Sequence, residues 1–302
     1  MRSSVAALLF LLVIAPLLLG IVTRTKSVLT GRRGAPVFQL YADLWKLSRR
    51  GVVLSSTTSW MFRLAPLALA ACAVIAAALV PVDGRAALLR FSGDAIAFVY
   101  VLALGRFLLV LAALDTGSSF EGMGASREVA IASFVEMGVV VALAALSLAS
   151  RDLSLTGMLS GVEGNRFGPA TPSVVMVALG LFALLLAESA RVPVDDPATH
   201  LELTMIHEVM VLDHGGPDLA LILFAGSVKF AAFGAIVVSL LVSRSALPLA
   251  ASLGALAAGL VGIAIAVGVV ESTMARLRWP KVPLYLAGAT ALSGFGLVLL
   301  LR

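Results

Sequence analysis

Eight long apolar runs divide the chain, at about 4–22, 62–80, 94–114, 128–149, 172–190, 218–242, 247–270 and 283–301. Each is long enough to cross ~30 Å of hydrocarbon as a helix rising 1.5 Å per residue. Within the runs apolar residues are continuous and do not alternate with polar ones, which predicts helices and not a barrel. Ala, Leu, Val and Gly dominate, and small residues let helix backbones approach closely where lipid supplies no hydrophobic drive between helices. The pattern predicts an all-α integral membrane protein: one polytopic domain over 1–302, a bundle of about eight transmembrane helices with amphipathic cytoplasmic helices.

Composition strengthens that picture. Of 302 residues, 60% are hydrophobic and 13% charged, where a soluble domain carries about a quarter charged residues. A soluble enzyme is excluded. The first run reads as a retained span, because no small-x-small cleavage site leads into a soluble domain. The net charge of +5 reads as membrane topology and not as nucleic-acid binding. The first link holds Arg24, Lys26, Arg32, Arg33, Lys46, Arg49 and Arg50. The third holds Arg127, the fifth Arg191, and the seventh Arg276, Arg278 and Lys281. The positive-inside rule therefore places the odd links in the cytoplasm and both termini outside the cell's inner (plasma) membrane.

Two of the basic links hold more than a connection. In the first, Pro36 can open a helix with Val37, Leu40, Tyr41, Leu44 and Trp45 on one face and Lys46, Arg49 and Arg50 after it. Such a helix lies on the membrane surface, either floating among headgroups or offering a platform to a partner protein. In the fifth, Asp196 and Pro197 resemble a helix start, Thr199 and Glu202 have capping-box spacing, and Gly215-Gly216-Pro217 is a stop. The predicted helix over 196–213 carries His200, Glu202, His207, Glu208, Asp213 and His214, too many polar groups for a span. It belongs between other helices at the membrane boundary.

Ionisable residues inside spans cost ~2.5–3.5 kcal/mol each on insertion scales, so each needs a partner or water. Arg63, Asp94, Glu128 and Glu271 lie near run ends, where they can reach the interface. Arg106, Glu136, Glu188 and Lys229 lie deeper. They read either as pairs that choose the helix packing or as a polar path for protons, with acids and bases relayed by water. The histidines at 200, 207 and 214 are seven apart. On a helix that is ~10.5 Å per step, too far for one metal ion, so proton handling is the better reading and no metal site is expected. The single cysteine, Cys72, allows no intramolecular disulfide and no cysteine cluster.

The residues from Ala187 to Leu203 resemble the acidic loop of the respiratory complex I subunit 1 family. The chain keeps Ala187-Glu188, Arg191, Pro193, Asp195, Pro197 and Glu202-Leu203 of that pattern. It has Val194 where quinone-reducing members have Phe, and Pro197-Ala-Thr-His200 in place of their acidic run. Residues 193–208 are similar to the hydrogenase branch, with Asp196 for Asn. Gly31 to Pro36 with Asp43, Leu44 and Lys46, and Gly122 to Glu128, fit the same branch.

The resemblance implies a membrane anchor and coupling subunit like that of formate hydrogenlyase and energy-converting nickel–iron hydrogenases. It would dock a peripheral redox arm and link electron transfer to proton or sodium translocation through antiporter-like membrane neighbours. The peripheral partners would be hydrogenase large and small subunits. These would hold the nickel–iron and iron–sulfur centres, leaving this chain without a bound cofactor. Glu136, Glu188, Asp195, Glu202, Glu208, Arg106 and Lys229 would carry protons or coupling. Arg32, Arg33, Asp43, Lys46, Arg127, Arg191, His200 and His207 would dock the partner. A quinone-binding subunit of an NADH dehydrogenase-like complex and a purely structural anchor are the alternatives. A lone secondary transporter would favour inverted repeats and broken helices, and neither is visible.

Overall fold

The computed structural model describes residues 2–164, 171–196 and 205–300. Among them are no strands and ten α-helices: α1 Arg2–Leu29, α2 Gln39–Ser48, α3 Trp60–Leu79, α4 Asp94–Asp115, α5 Ser119–Ser150, α6 Leu155–Gly164, α7 Thr171–Glu188, α8 Gly216–Leu241, α9 Leu249–Thr273 and α10 Val282–Leu300. Eight of them are long and apolar enough to span a membrane, in register with the eight runs. The all-α membrane architecture is therefore as the pattern predicts. Successive spans alternate in direction, so the odd links gather at one end of the bundle, called here the basic face, and the even links at the opposite end.

Helix α8 is the centre of the bundle. Phe230, Ala231, Ala232, Phe233 and Ala235 are all buried along it, and it packs against α1, α3, α7 and α9. A second layer joins α10 to α5 and α7. The α7–α10 approach depends on Gly180, where an added Cβ would lie 2.9 Å from the Ala289 carbonyl oxygen. A larger residue would push the backbones apart and forfeit the packing that holds helices together in lipid.

The structure departs from the sequence pattern at five places. Helix α1 continues past residue 22 to Leu29, and Thr23, Thr25 and Thr30 satisfy their hydroxyls on the preceding turn's carbonyls. Helix α5 starts nine residues early, at Ser119, and takes the Gly122–Glu128 motif out of the link. Its Gly124 faces the fifth link, where any Cβ would meet Val209. Helix α6, unforeseen, fills the fourth link with buried Leu155, Met158 and Leu159. The first-link helix is present, but starts at Gln39 and buries none of its residues.

The largest departure concerns the helix expected over 196–213. Residues 197–204 lie outside the described residues, but 205–213 hold only a 3-10 turn, Glu208–Val211. The Asp195 carboxylate holds the start of the segment described from 205 onward. Its Oδ2 accepts from the backbone N–H groups of Ile206 at 3.3 Å and His207 at 3.2 Å. A charge-assisted hydrogen bond to two buried amides outweighs a propensity of tenths of a kcal/mol per residue.

Candidate functional site at the basic face

Four spans bring the deep charges into one cluster. Arg106 of α4 is its hub. Its Nη1 donates to Glu136 Oε1 at 2.7 Å, its Nη2 to both oxygens of Glu188, and its Nε lies 3.5 Å from Glu128 Oε1. Glu128 and Glu136 are eight residues apart on α5, so they share a face. Glu188 ends α7 and also meets Lys229 Nζ of α8 at 3.4 Å. Three carboxylates thus surround two cations. With Arg106 and Glu188 both buried, removing one member would leave an uncompensated charge, a change that costs ~3–5 kcal/mol in buried pairs.

A second cluster lies closer to the basic face. Glu271 of α9 is paired to Arg191 at 3.3 Å and to Lys26 of α1 at 3.6 Å. Lys26 also reaches Asp196 at 3.5 Å, and Arg276 holds Asp195 at 3.2 Å. Burial pushes the Asp195 carboxyl up from its ordinary value, against the His207 amide and the Arg276 charge, which act to lower it. Burial pushes the His207 imidazole down, with the Glu128 carboxylate opposing. In both groups burial favours the uncharged form, and the charged neighbours that oppose it tie their protonation to the local field.

A cavity of about 140 Å³ joins the clusters. Glu188, Arg191, Asp195, His207, Glu208 and Lys229 supply its polar lining. A second cavity of about 20 Å³ continues past Lys229 and His207 to Arg106 and Cys72. One water needs ~10–15 Å³ of such space and two to four polar partners, so both spaces suit water and the larger holds several. Among the described residues no three His, Cys, Asp or Glu side chains converge to hold a metal ion.

Of the residues singled out from sequence, Arg106, Glu136, Glu188, Lys229, Asp195, His207 and Glu208 lie at these clusters and cavities. His200 and Glu202 lie outside the described residues. Arg32, Arg33 and Lys46 are exposed around α2, while Asp43 accepts from Gln39 within that helix at 2.9 Å. Arg127 turns inward to donate to the Met205 carbonyl at 3.2 Å, and Arg191 is held by Glu271. Two residues placed at the interface by the sequence are internal. Glu271 is buried in the second cluster, and Asp94 is wholly buried at the opposite end. Glu128 also joins the hub. Its helical register with Glu136 was a usable signal. The pairing of Lys26 with Glu271 had none, since the two are 245 positions apart.

The family model described as NADH dehydrogenase matches residues 2–300. Hydrogenase-4 component C of Escherichia coli (strain K12) is 29% identical over 282 residues, covering 91% of this chain and 88% of that protein. Formate hydrogenlyase subunit 4 of the same organism is 31% identical over 187 residues, covering 62% of this chain and 61% of that one. A chain of the membrane-bound sulfane sulfur reductase, an archaeal respiratory membrane complex, superposes with a TM-score of 0.81 at 16% identity, covering 99% of this chain and 98% of that one. The last likeness is one of fold.

Proposed function

The chain belongs to the NADH dehydrogenase family as a complex I-like membrane subunit, and we propose that within such a complex it anchors a peripheral hydrogenase-type arm and couples its electron transfer to proton or sodium movement. In this reading the arm's large and small subunits dock at the basic face, on the cytoplasmic side, where Arg32, Arg33 and Lys46 are exposed. The metal centres reside in that arm. Antiporter-like subunits lie beside this chain in the inner membrane.

The observation that carries the reading is the continuity of the two ion clusters through a water-sized cavity. A unit of charge arriving near Asp195 and His207 changes their proton occupancy. At an effective dielectric of ~20, one charge at 4 Å is worth ~4 kcal/mol, about three pKa units. A proton relayed by cavity water to Glu188 would neutralise it and weaken its hold on Arg106 and Lys229. Arg106 would then bind Glu136 and Glu128 more tightly, moving the charge imbalance along α5 toward the neighbouring subunits. Arg106 keeps Glu136 and Glu128 when Glu188 is neutralised, so the hub cation stays paired.

Glu188→Gln tests this in the assembled complex. The expected outcome is an intact complex whose electron transfer no longer drives ion movement across vesicles. Undiminished pumping with normal assembly overturns the role of Glu188. The quinone-binding alternative requires space for a headgroup, and ligand pockets are usually ~300–1,000 Å³. The cavity of about 140 Å³ between the two clusters is below that range and suits water.

A further inference from the structure

At the opposite end of the bundle a larger space is unused by the coupling reading. A groove of about 520 Å³ runs between α4 and α5. Ile96 and Tyr100 form one wall, and Val140, Leu143 and Ala144 the other. Ile96, Tyr100 and Val140 are more than half exposed, so the groove opens sideways from the bundle. It begins at the turn after α5 and reaches inward to Val140. That is ten helical residues before Ser150, a depth of ~15 Å, or half of a ~30 Å hydrocarbon core. The groove therefore extends about as far as one leaflet.

Its polar end has a specific character. Arg151 adopts a left-handed backbone, φ 56°, that stops α5 and turns the chain. The neighbouring Asp152 carboxylate is engaged by the Ser154 amide at 2.9 Å. Among the described residues no hydrogen bond or ion pair holds the exposed Arg151 guanidinium, though it lines the end of the groove. One unpaired cation at headgroup depth above a leaflet-deep apolar slot matches one chemistry: a phosphate joined to a hydrocarbon tail.

We propose that the α4–α5 groove binds an anionic phospholipid of that leaflet, one acyl chain along Tyr100, Val140 and Leu143 and the phosphate on Arg151. A transmembrane helix of a neighbouring subunit fits less well. It would leave the Arg151 guanidinium at the groove's end without an anion and would continue past the turn there.

Native mass spectrometry of the full chain, released from detergent and titrated with phosphatidylglycerol, tests the assignment. The wild type is expected to retain one phosphatidylglycerol, and to bind the corresponding diacylglycerol, which lacks the phosphate, several-fold more weakly. Arg151→Asn keeps a residue that tolerates the left-handed backbone and should weaken phosphatidylglycerol binding about fivefold, as expected for one cation near a headgroup. Ala144→Trp fills the slot from an exposed position and should abolish retention, whereas Leu9→Trp on lipid-facing α1 should not. Equal retention by the wild type and Ala144→Trp overturns the proposal. So does a Leu148→Cys variant that cross-links efficiently to a neighbouring subunit in the intact complex.

Discussion

The two ends of the bundle bury charge in different ways. At the basic face the two hubs hold other ions, although Asp195 there also binds backbone amides: Arg106 serves three carboxylates, Glu188 two cations and Glu271 two more. At the opposite end they hold the backbone. Asp94 accepts from the Leu155 amide at 2.6 Å and the Ser154 hydroxyl at 3.0 Å, pinning α6. Asp83 accepts from the amides of Arg85 and Ala86. Arg244 donates to the Val82 carbonyl at 2.8 Å. A backbone partner is neutral and fixed, so these charges act as clamps. A side-chain partner titrates and turns, and in the proposed function several around one cavity redistribute protons and charge. The two arrangements meet the same desolvation penalty, and the proposed coupling asks only the linked ions to transmit a change.

Four measurements sharpen or break this contrast. The largest effect is expected at the hub. Arg106→Leu leaves three acids facing one lysine and should destabilise the chain in detergent by ~3–5 kcal/mol. Adding Glu188→Gln should recover part of that loss, a coupling a double-mutant cycle reads directly. Strict additivity would mean that the cluster is a set of independent pairs.

Next in size is the pH dependence of a basic-face histidine outside both clusters. His214 is buried, stacks on Phe62 at 3.9 Å, and among the described residues neither ring nitrogen has a hydrogen-bond partner. Burial pushes its imidazole from 6.5 down to about 4. Above pH 6.5 the ring is neutral in both folded and unfolded states and contributes no slope. As pH falls below 6.5 the unfolded chain takes a proton that the folded one refuses. Stability should therefore decline by up to about 3 kcal/mol by pH 4 and level off below it. Thermal melts of the wild type and His214→Phe across that range isolate the slope, which the substitution should remove.

A smaller loss is expected at the clamp. Asp94→Ala strands the Leu155 amide and should cost ~1–3 kcal/mol, with ion pumping by the assembled complex unchanged. Pumping lost in parallel with stability would erase the distinction between the two ends. The smallest effect on stability belongs to the exposed cations. Arg32→Ala with Arg33→Ala should shift unfolding by under ~0.5 kcal/mol, while weakening retention of the peripheral arm on vesicles at low salt more than at high salt.

How much of this was legible beforehand depended on whether a residue's partner is local. Eight spans, the α2 surface helix and the depth of Arg106, Glu136, Glu188 and Lys229 could all be read from run lengths and intervals. Glu271 and Asp94 were misplaced, because a position near a run end permits both snorkelling and burial, and only a neighbour decides between them. The expected helix is absent over 205–213 for a related reason. Capping residues and apolar spacing are local preferences, and the Asp195 carboxylate binds amides eleven and twelve positions away.

The sequence by itself determined that this chain lives in a bilayer, how many times it crosses, and that it carries ions where hydrocarbon repels them. Those are consequences of solvent transfer, which each segment obeys alone. Only the tertiary structure decided which ions meet and whether water fits between them. It also decided which end is clamped and which is linked. Partner choice among buried charges is set by distances of a few ångströms between helices far apart in the chain, where Coulomb energy changes steeply and sequence intervals carry no information.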